Sequence, residues 1–469
     1  MKNFKKKIAL LSALALAGTM LAGCGPAKEG DTTEATTTAA EGDATEASET
    51  TTVAATEAAA TKNDGTTLTV MTWNTEFTGF VRDYYLKDHP LPDGVTYNPV
   101  EFGVGGGDAS QYFDQYMDSG KDLDLFCLEA DWALTYLNSD KTTSLEAIGI
   151  KESELDGQYS YTKDLGRDSS GVLKAATFQA CPGGYAYRSD LAEKYLNVKT
   201  PDEMQAKVKD WDTFLASAKT VKEASGGKTK MTASLGGVWQ VFASSRNTPW
   251  VVDNKLVITE EVTDFLNLAK TMVDEGYVDP NIVQWTDSWL PLGTSDATMG
   301  YFVSTWGIGD VIIGPAAGGK GGATWGKWAV TEGPQAFYWG GTWIAPSSTC
   351  DNADLVADII RYFCVNEDSM KAFAIGSNSF VNNKSVMQAI IDEGSGKVEN
   401  LGGQDPNPIW LKNADKIDLS FMSEYDGEIK KALNTAYTSY VNGETDYDGT
   451  IELFKDQVAQ NITTLDWDE

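Results

Sequence analysis

Side chains that could hold a polar ligand follow predicted strands at several points of the sequence. The residues in question are Asn74, Glu76, Glu129, Asp131 and Gln179. In an open α/β sheet, ligands bind beyond the carboxyl ends of the strands, where such groups could bond to the hydroxyls of a sugar. The same carboxylates could form the acid pair of a glycoside hydrolase, or they could be solvated surface acids. The spacing alone leaves these three interpretations open.

Tryptophan is the second residue type that could do chemistry here. The chain has 14 tryptophans, and many stand next to turn residues instead of inside apolar periodic runs; examples are Trp73, Trp239, Trp285, Trp289, Trp306, Trp339 and Trp343. An indole at a strand end offers a flat face that suits stacking on the CH-lined face of a sugar ring. Any one of them could be a core residue. Taken together, they predict that at least two or three line a ligand cleft.

Composition excludes several classes of function. The net charge of −31 repels phosphate backbones, so no nucleic-acid partner is expected. The only histidine, His89, lies in a turn-like segment, which excludes histidine-dependent triads and His-ligated zinc or haem. The glycine run 103–108 lacks the third glycine of a dinucleotide turn, and 118–124 lacks the terminal glutamate of a calcium loop. We therefore expect no metal and no cofactor.

The elements that must position these side chains follow an α/β pattern. Strands are predicted at 68–73, 96–102 and 123–128, with a helix at 109–118 between the last two. This strand–helix–strand order is typical of a parallel sheet. Further elements are predicted along the rest of the chain: helices at 201–223, 259–275, 351–365 and 427–441, and strands at 297–303 and 338–345. The length of 469 residues suits an α/β protein of two lobes.

The N-terminal 64 residues are not expected to belong to the globular body. Residues 1–23 have a lysine-rich start and a short apolar run, typical of a signal peptide, and Leu21 to Cys24 resembles a bacterial lipobox. Cys24 would then carry the lipid. Residues 24–64 are predicted to be a lipid-anchored, disordered tether rich in Thr, Ala and Glu. The other four cysteines do not form a disulfide scaffold, although Cys350 and Cys364 could pair.

From Gly65 to the C-terminus, a series of segments resembles the family 1 extracellular solute-binding proteins, the sugar-binding lipoproteins of ABC importers, related distantly to maltose-binding protein. No single motif is diagnostic, but their order is. The segments are LTVMTWNTEF (68–77), DLDLFCLEADWALTYLNSD (122–140), FQACPGGYAYRSDLAEKY (178–195), WDTFLASAKTVKEASGGK (211–228), NTPWVVDNKLVI (247–258), MGYFVSTWGI (299–308), FYWGGTWIAPSS (337–348) and YDGEIKKALNTAYTSYVNG (425–443).

The resemblance implies a two-lobed, type II periplasmic-binding-protein-like α/β fold with hinge strands and a central cleft. The first lobe would be residues 65–178 plus about 345–390. The second would be residues 186–335 plus about 391–469, and the chain would cross between lobes near 178–185 and 337–343.

The resemblance also implies roles for individual residues. Asn74, Glu76, Glu129 and Asp131 match ligand-facing loops of the first lobe. Trp306 matches a stacking aromatic. The remaining expected contacts are Gln179, Trp339 and Trp343 on the cleft floor and Tyr425 at the start of a late helix, with Trp239 added as a candidate from its glycine-flanked position.

The function implied is that of a monomeric receptor, anchored by lipid to the extracellular face of the membrane in a Gram-positive-type envelope. It would capture an oligosaccharide and deliver it to the permease subunits of an ABC transporter, with no chemistry of its own. Two alternatives remain. One is a tethered glycoside hydrolase that uses Glu76, Glu129 or Asp131, and the other is a wall-bound adhesin or carbohydrate-binding module.

Overall fold

The computed structural model describes residues 62–105 and 109–467. The predicted signal peptide, the predicted lipidation residue Cys24 and the tether as far as residue 61 lie outside these described residues. None of the helices within the two described ranges combines the length and the apolar composition that a bilayer crossing requires.

The globular body begins slightly earlier than the sequence predicts. Residues 62–64, assigned above to the disordered tether, bond to the loop and helix start around Asn352. Asn63 forms a β-bridge with Asn352, the backbone N–H of Ala353 donates to the carbonyl oxygen of Lys62 at 3.1 Å, and the N–H of Asp354 donates to Asn63 Oδ1 at 2.8 Å. These bonds hold the last three residues of the predicted tether against the body.

The described residues form ten strands and sixteen α-helices, and the last six helices follow one another after the final strand. The strands are β1 (Thr67–Thr72), β2 (Thr96–Glu101), β3 (Leu125–Glu129), β4 (Ala176–Thr177), β5 (Gly183–Arg188), β6 (Val251–Val252), β7 (Lys255–Leu256), β8 (Gly300–Ser304), β9 (Trp328–Thr331) and β10 (Thr342–Pro346). The helices are α1 (Glu76–Phe80), α2 (Leu86–Asp88), α3 (Ser110–Asp118), α4 (Ala130–Leu137), α5 (Ser160–Leu165), α6 (Ser189–Leu196), α7 (Pro201–Val208), α8 (Trp211–Ser225), α9 (Leu235–Ser244), α10 (Glu260–Asp274), α11 (Ala353–Cys364), α12 (Glu367–Ser377), α13 (Lys384–Glu393), α14 (Asn407–Ala414), α15 (Asp426–Val441) and α16 (Tyr447–Asn461). Short segments of 3-10 or π-helix lie at Val81–Tyr85, Glu146–Ile148, Glu152–Leu155, Leu290–Thr294, Ile308–Ala316 and Glu399–Leu401.

The larger sheet has the strand order β2-β1-β3-β10-β4. β1 runs parallel to both β2 and β3, which confirms the parallel strand–helix–strand pattern predicted for residues 68–128. β10 returns from far along the chain and lies antiparallel to β3, with Thr342 opposite Glu129. The start of β10 therefore lies beside the carboxyl end of β3.

The smaller sheet has the order β8-β5-β9, with both pairs antiparallel. Gly183 at the start of β5 pairs with Ser304 at the end of β8. The chain leaves the larger sheet after β4 and enters the smaller one at β5, so it crosses between the sheets within residues 178–182. The return crossing leads into β10 and bonds to the first, since Gly183 N–H donates to the carbonyl oxygen of Phe337 at 2.7 Å.

Two predicted elements differ from the structure for local reasons. The helix expected at 201–223 is divided into α7 and α8, because Asp210 adopts extended backbone and caps the second helix by accepting from Thr213 N–H. The strand expected at 338–345 begins only at Thr342. Gly340 and Gly341 stand at φ +76° and +97°, a backbone region that interrupts a strand and favours glycine.

Buried Asp124 fastens the larger sheet to the start of α11. Its carboxylate accepts hydrogen bonds from the backbone N–H groups of Thr69 (2.8 Å), Asp351 (3.1 Å) and Asn352 (3.1 Å), and from the Asn352 side-chain amide. Asp122 and Asp351 lie close enough to share an ion with it, but its oxygens are already occupied by these donors. We therefore interpret the group as a structural tie, and we assign no metal to it.

Replacing Asp124 with alanine is expected to lower the free energy of unfolding by about 2–3 kcal/mol, because three backbone donors, two of them buried, lose their acceptor. Denaturant unfolding of wild type and Asp124→Ala measures the loss. The matched control is Asp456→Ala, which removes an exposed carboxylate and should change stability by less than about 0.5 kcal/mol. Equal stability of the two variants would contradict the structural role.

Candidate ligand-binding cleft

A cleft of about 850 Å³ lies where the carboxyl ends of β1, β3 and β8 meet the two crossings between the sheets. Its volume is within the usual range of small-molecule sites. Its lining includes Trp73, Asn74, Glu76, Asp114, Glu129, Asp131, Trp132, Gln179, Trp239, Gln240, Gln284, Trp285, Trp306, Asp310, Trp339, Glu424, Glu428, Lys430 and Lys431. Six of these side chains are indoles and seven are carboxylates.

The larger sheet supplies polar groups at two neighbouring strand ends. After β1, Asn74 accepts a hydrogen bond from the backbone N–H of Glu76 at 3.0 Å, which fixes the turn into α1. After β3, Glu129 caps α4 by accepting from the N–H of Asp131 at 2.8 Å. Since β1 and β3 are parallel neighbours, both turns open at the same sheet edge.

The two crossings form the floor of the cleft. Gln179, in the first crossing, donates from Nε2 to Glu76 Oε1 at 3.2 Å. Trp339, in the return crossing, donates its backbone N–H to the carbonyl oxygen of Cys181 at 3.3 Å. Gly341 lies so close to Tyr338 that a Cβ atom there would stand 2.6 Å from its hydroxyl. This floor therefore leaves no room for larger residues at Gly341.

A cluster of three indoles forms part of the wall next to the smaller sheet. Trp306, just after β8, donates its Nε1–H to the carbonyl oxygen of Trp339 at 2.9 Å, and their ring centroids are 5.1 Å apart. Trp285 stacks on Trp306 at 5.8 Å with an interplanar angle of 21°. Trp285 is 50% exposed and adopts φ +67°, a conformation uncommon for a residue with a side chain. We therefore regard Trp285 as a candidate contact residue.

Helices α9 and α15 also line the cleft, next to the wall formed by the three indoles. Gly236, Trp239 and Gln240 lie on one face of α9, at helical spacing, and line the cleft. Trp239 is itself only 3% exposed and stacks on Trp250 at 5.8 Å. From α15, Lys430 Nζ reaches Asp131 Oδ1 at 2.6 Å, so an ion pair connects the two sides at this end of the cleft.

Three carboxyl groups of the cleft, those of Glu76, Glu129 and Asp310, have a raised pKa. The pKa of Glu76 is raised to about 7: burial is the largest cause, the negative charge of Asp310 acts in the same direction, and the hydrogen bond from Gln179 opposes both effects. Burial, followed by the charge of Asp131, also raises the pKa of Glu129, while Lys430 opposes the shift. The surrounding protein raises the pKa of Asp310 as well, although its side chain is open to the cleft. Burial is the largest cause of all three shifts, and neighbouring acids add to it at Glu76 and Glu129.

The raised pKa of Glu76 predicts a pH dependence of stability. An acid whose pKa is higher in the folded protein stabilises the fold below its unfolded pKa of 4.5, and this contribution is lost as the pH rises through about 7. Without ligand, Glu76→Gln should therefore gain about 1–3 kcal/mol relative to wild type between pH 5 and pH 8. Denaturant unfolding at both pH values measures this difference, with Glu452→Gln, an exposed site, as the control. Parallel curves for wild type and Glu76→Gln would contradict the prediction.

Most of the predicted contact residues come together in the cleft. Its lining contains eight of the ten: Asn74, Glu76, Glu129, Asp131, Gln179, Trp239, Trp306 and Trp339. Whether each contacts a ligand remains a proposal.

The structure places the other two predicted contacts, Trp343 and Tyr425, outside the lining. Trp343 is fully buried on β10 and donates its Nε1–H to the carbonyl oxygen of Thr162 at 3.0 Å, so it belongs to the core under the larger sheet and not to the cleft floor. Tyr425 precedes α15 and packs against the hydrophobic core next to the smaller sheet. The neighbouring Glu424 and Glu428 occupy the face of that segment that lines the cleft.

Sequence reasoning missed several lining residues. Trp132 lies three positions after Glu129, one helical turn along α4, and this spacing is a signal that could have identified it. Trp285 was visible only as one of several turn-flanked tryptophans. Asp310 and Lys430 have no local signal, because tertiary packing alone brings them to the cleft.

Comparisons with known proteins agree with this architecture. The model of the bacterial extracellular solute-binding protein family matches residues 94–399. A crystal structure of a family 1 extracellular solute-binding protein is 16% identical, with a TM-score of 0.72 over 84% of this chain and 99% of that one. No curated protein sequence matches this chain at a significant level.

Two further similar structures come from bifidobacteria. An ABC-transporter-associated binding protein of B. animalis subsp. lactis, in complex with β-1,6-galactobiose, is 16% identical over 84% of this chain and 97% of that chain, with a TM-score of 0.67. The galacto-N-biose-/lacto-N-biose I-binding protein of Bifidobacterium longum is 15% identical over 86% of this chain and 98% of that chain, with a TM-score of 0.66. These matches confirm the two-lobed α/β fold. The match to the family model covers well over half of the sequence, and the chain belongs to the bacterial extracellular solute-binding protein family.

Proposed function

We propose that this protein is the sugar receptor of an ABC importer, which captures an oligosaccharide in the cleft and delivers it to a membrane permease. The observation that carries the proposal is the cleft itself, whose lining combines six indoles with carboxylates and amides from both sides. Indole faces suit the apolar faces of sugar rings, and carboxylate and amide oxygens accept hydrogen bonds from hydroxyls. The sugar complexes known for two structures of similar fold support this ligand class.

Capture is proposed to involve a hinge motion of the lobes. A ligand that contacts both sides of the cleft stabilises the closed arrangement by its differential affinity for that state. The crossings at 178–182 and 337–341 are the connections that would bend, and Cys181, Gly340 and Gly341 in them adopt positive φ. The protein is proposed to act as a monomer.

The alternative functions predict different behaviour. A glycoside hydrolase could use the raised pKa of Glu76 or Glu129 for acid catalysis, and it would release reducing ends from an oligosaccharide. An adhesin or carbohydrate-binding module would bind polymer without lobe closure. We propose that the protein has no catalytic activity, because its family consists of binding proteins.

A thermal-shift screen with oligosaccharides tests the proposal. A ligand that binds only the folded state raises stability by RT ln(1 + [L]/Kd), so a true ligand at 100 times its Kd should add about 2.7 kcal/mol. Small-angle scattering with that ligand should show a smaller radius of gyration, and a reducing-sugar assay should stay flat. Compaction without hydrolysis supports a receptor. New reducing ends, or binding without compaction, would favour the hydrolase or the adhesin.

Export and lipid anchoring complete the proposal. The motif ending at Cys24 and the lysine-rich, apolar start of the chain support a lipid anchor on the outer face of the membrane. Replacing Cys24 with serine should release the protein into the medium with its cooperative unfolding unchanged, because Cys24 is not one of the residues that form the described body, 62–105 and 109–467. Fractionation of cells and medium measures the release. Retention of Cys24→Ser in the membrane fraction would contradict a lipid anchor.

A further inference from the structure

The cleft carries far more negative than positive charge. Seven carboxylates line it: Glu76, Asp114, Glu129, Asp131, Asp310, Glu424 and Glu428. Against them stand two lysines, Lys430 and Lys431, and no arginine among the lining residues that the structure describes. The charge of the whole chain, −31, has the same sign and would attract cations toward the cleft.

Both lysines are already paired with acids of the cleft. Lys430 Nζ lies 2.6 Å from Asp131 Oδ1, and Lys431 Nζ lies 3.0 Å from Glu428 Oε1. Neither lysine is therefore available to neutralise a third carboxylate without giving up its present partner. The other five acids of the lining, Glu76, Asp114, Glu129, Asp310 and Glu424, therefore have no lysine partner among the described residues of the cleft.

Among these five acids, Glu76 and Asp310 are close enough for the charge of Asp310 to raise the pKa of Glu76. Glu76 begins α1, directly after β1 of the larger sheet, and Asp310 follows β8 of the smaller one, so the two approach the cleft from different sides. Glu76 receives one hydrogen bond, from Gln179, and Asp310 makes no side-chain hydrogen bond or ion pair with any residue in the described ranges. Closure around a neutral ligand would remove water from both carboxylates and provide no countercharge.

The aromatic part of the cleft suits a ligand that carries both positive charge and sugar rings. The faces of indoles attract ammonium groups within about 6 Å of the ring centroid. Trp239 lines the cleft and is only 3% exposed, yet its Nε1–H has no acceptor among the described residues. The buried Nε2 of Gln284, also in the lining, is likewise without an acceptor there. A hydroxyl oxygen of a ligand could serve as that acceptor.

From this geometry we infer that the preferred ligand is a cationic amino sugar, an oligosaccharide with at least one free ammonium group placed between Glu76 and Asp310. The ammonium replaces the missing countercharge on the two sides of the cleft, while ring faces stack on the indoles. This inference rests on the proposed function, since it names the class of sugar that the same cleft takes.

Calorimetric titration with matched tetrasaccharides tests the inference. Two backbones, β-1,4- and α-1,4-linked glucose, are each used with a hydroxyl, a free amine or an N-acetylated amine at C2 of every ring. At pH 7 and low salt, the amine form of the preferred backbone should bind at least tenfold more tightly than both neutral forms. The preference should shrink in 0.5 M salt, because screening weakens ionic attraction.

Variants of the two carboxylates test whether they are the groups that recognise the amine form. The double variant Glu76→Gln/Asp310→Asn should lose at least tenfold in affinity for the amine form, and with it the preference for the amine form over both neutral forms. The matched control, Glu452→Gln/Asp456→Asn, removes two exposed carboxylates from α16 and should bind as wild type does.

Titration in buffers of different ionisation enthalpy adds an independent readout: a bound ammonium should release protons from Glu76, next to Asp310 and Gln179, whereas a neutral sugar should not.

The outcomes separate the two claims. Equal binding of amine and neutral forms, or preference for a neutral form, would overturn the inference and leave sugar capture intact. An amine preference that persists in the double variant would also overturn it, because the charge would then be recognised elsewhere. Failure of all six sugars to bind would contradict the proposed function and the inference together.

Discussion

Replacing Trp306 with alanine is expected to weaken oligosaccharide binding about thirty- to a thousand-fold. Truncation of a buried aromatic anchor in a binding site typically costs about 2–4 kcal/mol, at about 1.4 kcal/mol per decade of affinity. Trp306 is partly exposed in the cleft, between Trp285 and Trp339. Its removal takes away a stacking surface and also the hydrogen bond to the carbonyl oxygen of Trp339. Calorimetric titration with the sugar found in the screen measures the loss.

Stability has to be measured beside affinity, because Trp306 also packs against its neighbours. If Trp306 were mainly a core residue, alanine would cost about 3–5 kcal/mol of unfolding free energy and leave the affinity of the folded fraction unchanged. The control is Trp467→Ala, which removes an indole that is 36% exposed, lies near the C-terminus and is not part of the cleft lining. Intact binding by a strongly destabilised Trp306→Ala would remove this residue from the site.

Replacing Asp426 with alanine is expected to lower the free energy of unfolding by about 3–5 kcal/mol, the usual cost of breaking a buried ion pair by removing one partner. Asp426 at the start of α15 is fully buried and pairs with Arg246, whose side chain is 1% exposed. The guanidinium lies between two rings, 3.6 Å from the centroid of Trp250 and 4.4 Å from that of Phe421. Without Asp426 this buried charge has no counterion, and Ser423 loses its acceptor.

Two further variants distinguish the ion pair from general packing. Asp392→Ala, at an exposed position on α13, controls for removal of a carboxylate and should cost less than about 0.5 kcal/mol. The double variant Arg246→Met/Asp426→Leu should recover part of the stability lost in Asp426→Ala, because an apolar pair leaves no unpaired charge. A double variant as unstable as the single one, by chemical denaturation, would show that shape and not charge pairing determines the cost.

The elements near the site could be predicted because their signals are local. Alternation predicted β1, an apolar run bounded by aspartates predicted β3, and the polar residues after them predicted Asn74, Glu76 and Glu129 at one sheet edge. The position of Trp343 outside the lining has a physical reason. All five residues of β10 are buried, so hydrophobic alternation cannot indicate which face of the strand meets the cleft. Tyr425 lies just before α15 and outside the lining, which Glu424 and Glu428 reach, and no local signal shows which residues of that segment face the cleft.

The electrostatic character of the site could not be predicted from the sequence. Asp131 and Lys430 are 299 positions apart, and only the packing of α4 against α15 brings them together. Asp310 follows β8, and its effect on Glu76 depends on how the two sides of the cleft face each other. The excess of acidic residues in the sequence is spread over the whole chain, so it gave no indication of which acids share a cleft without countercharge.

Hydrogen–deuterium exchange with and without a bound oligosaccharide tests the central claim, capture between two lobes, most directly. We expect slower exchange on both sides of the cleft and in its floor. The segments are residues 73–77 and 129–135 beside the larger sheet, residues 304–311 beside the smaller sheet, and residues 337–342 in the return crossing. Exchange in α16, which is not part of the lining, should stay unchanged. Protection confined to one side of the cleft, or located outside these segments, would contradict capture between the lobes.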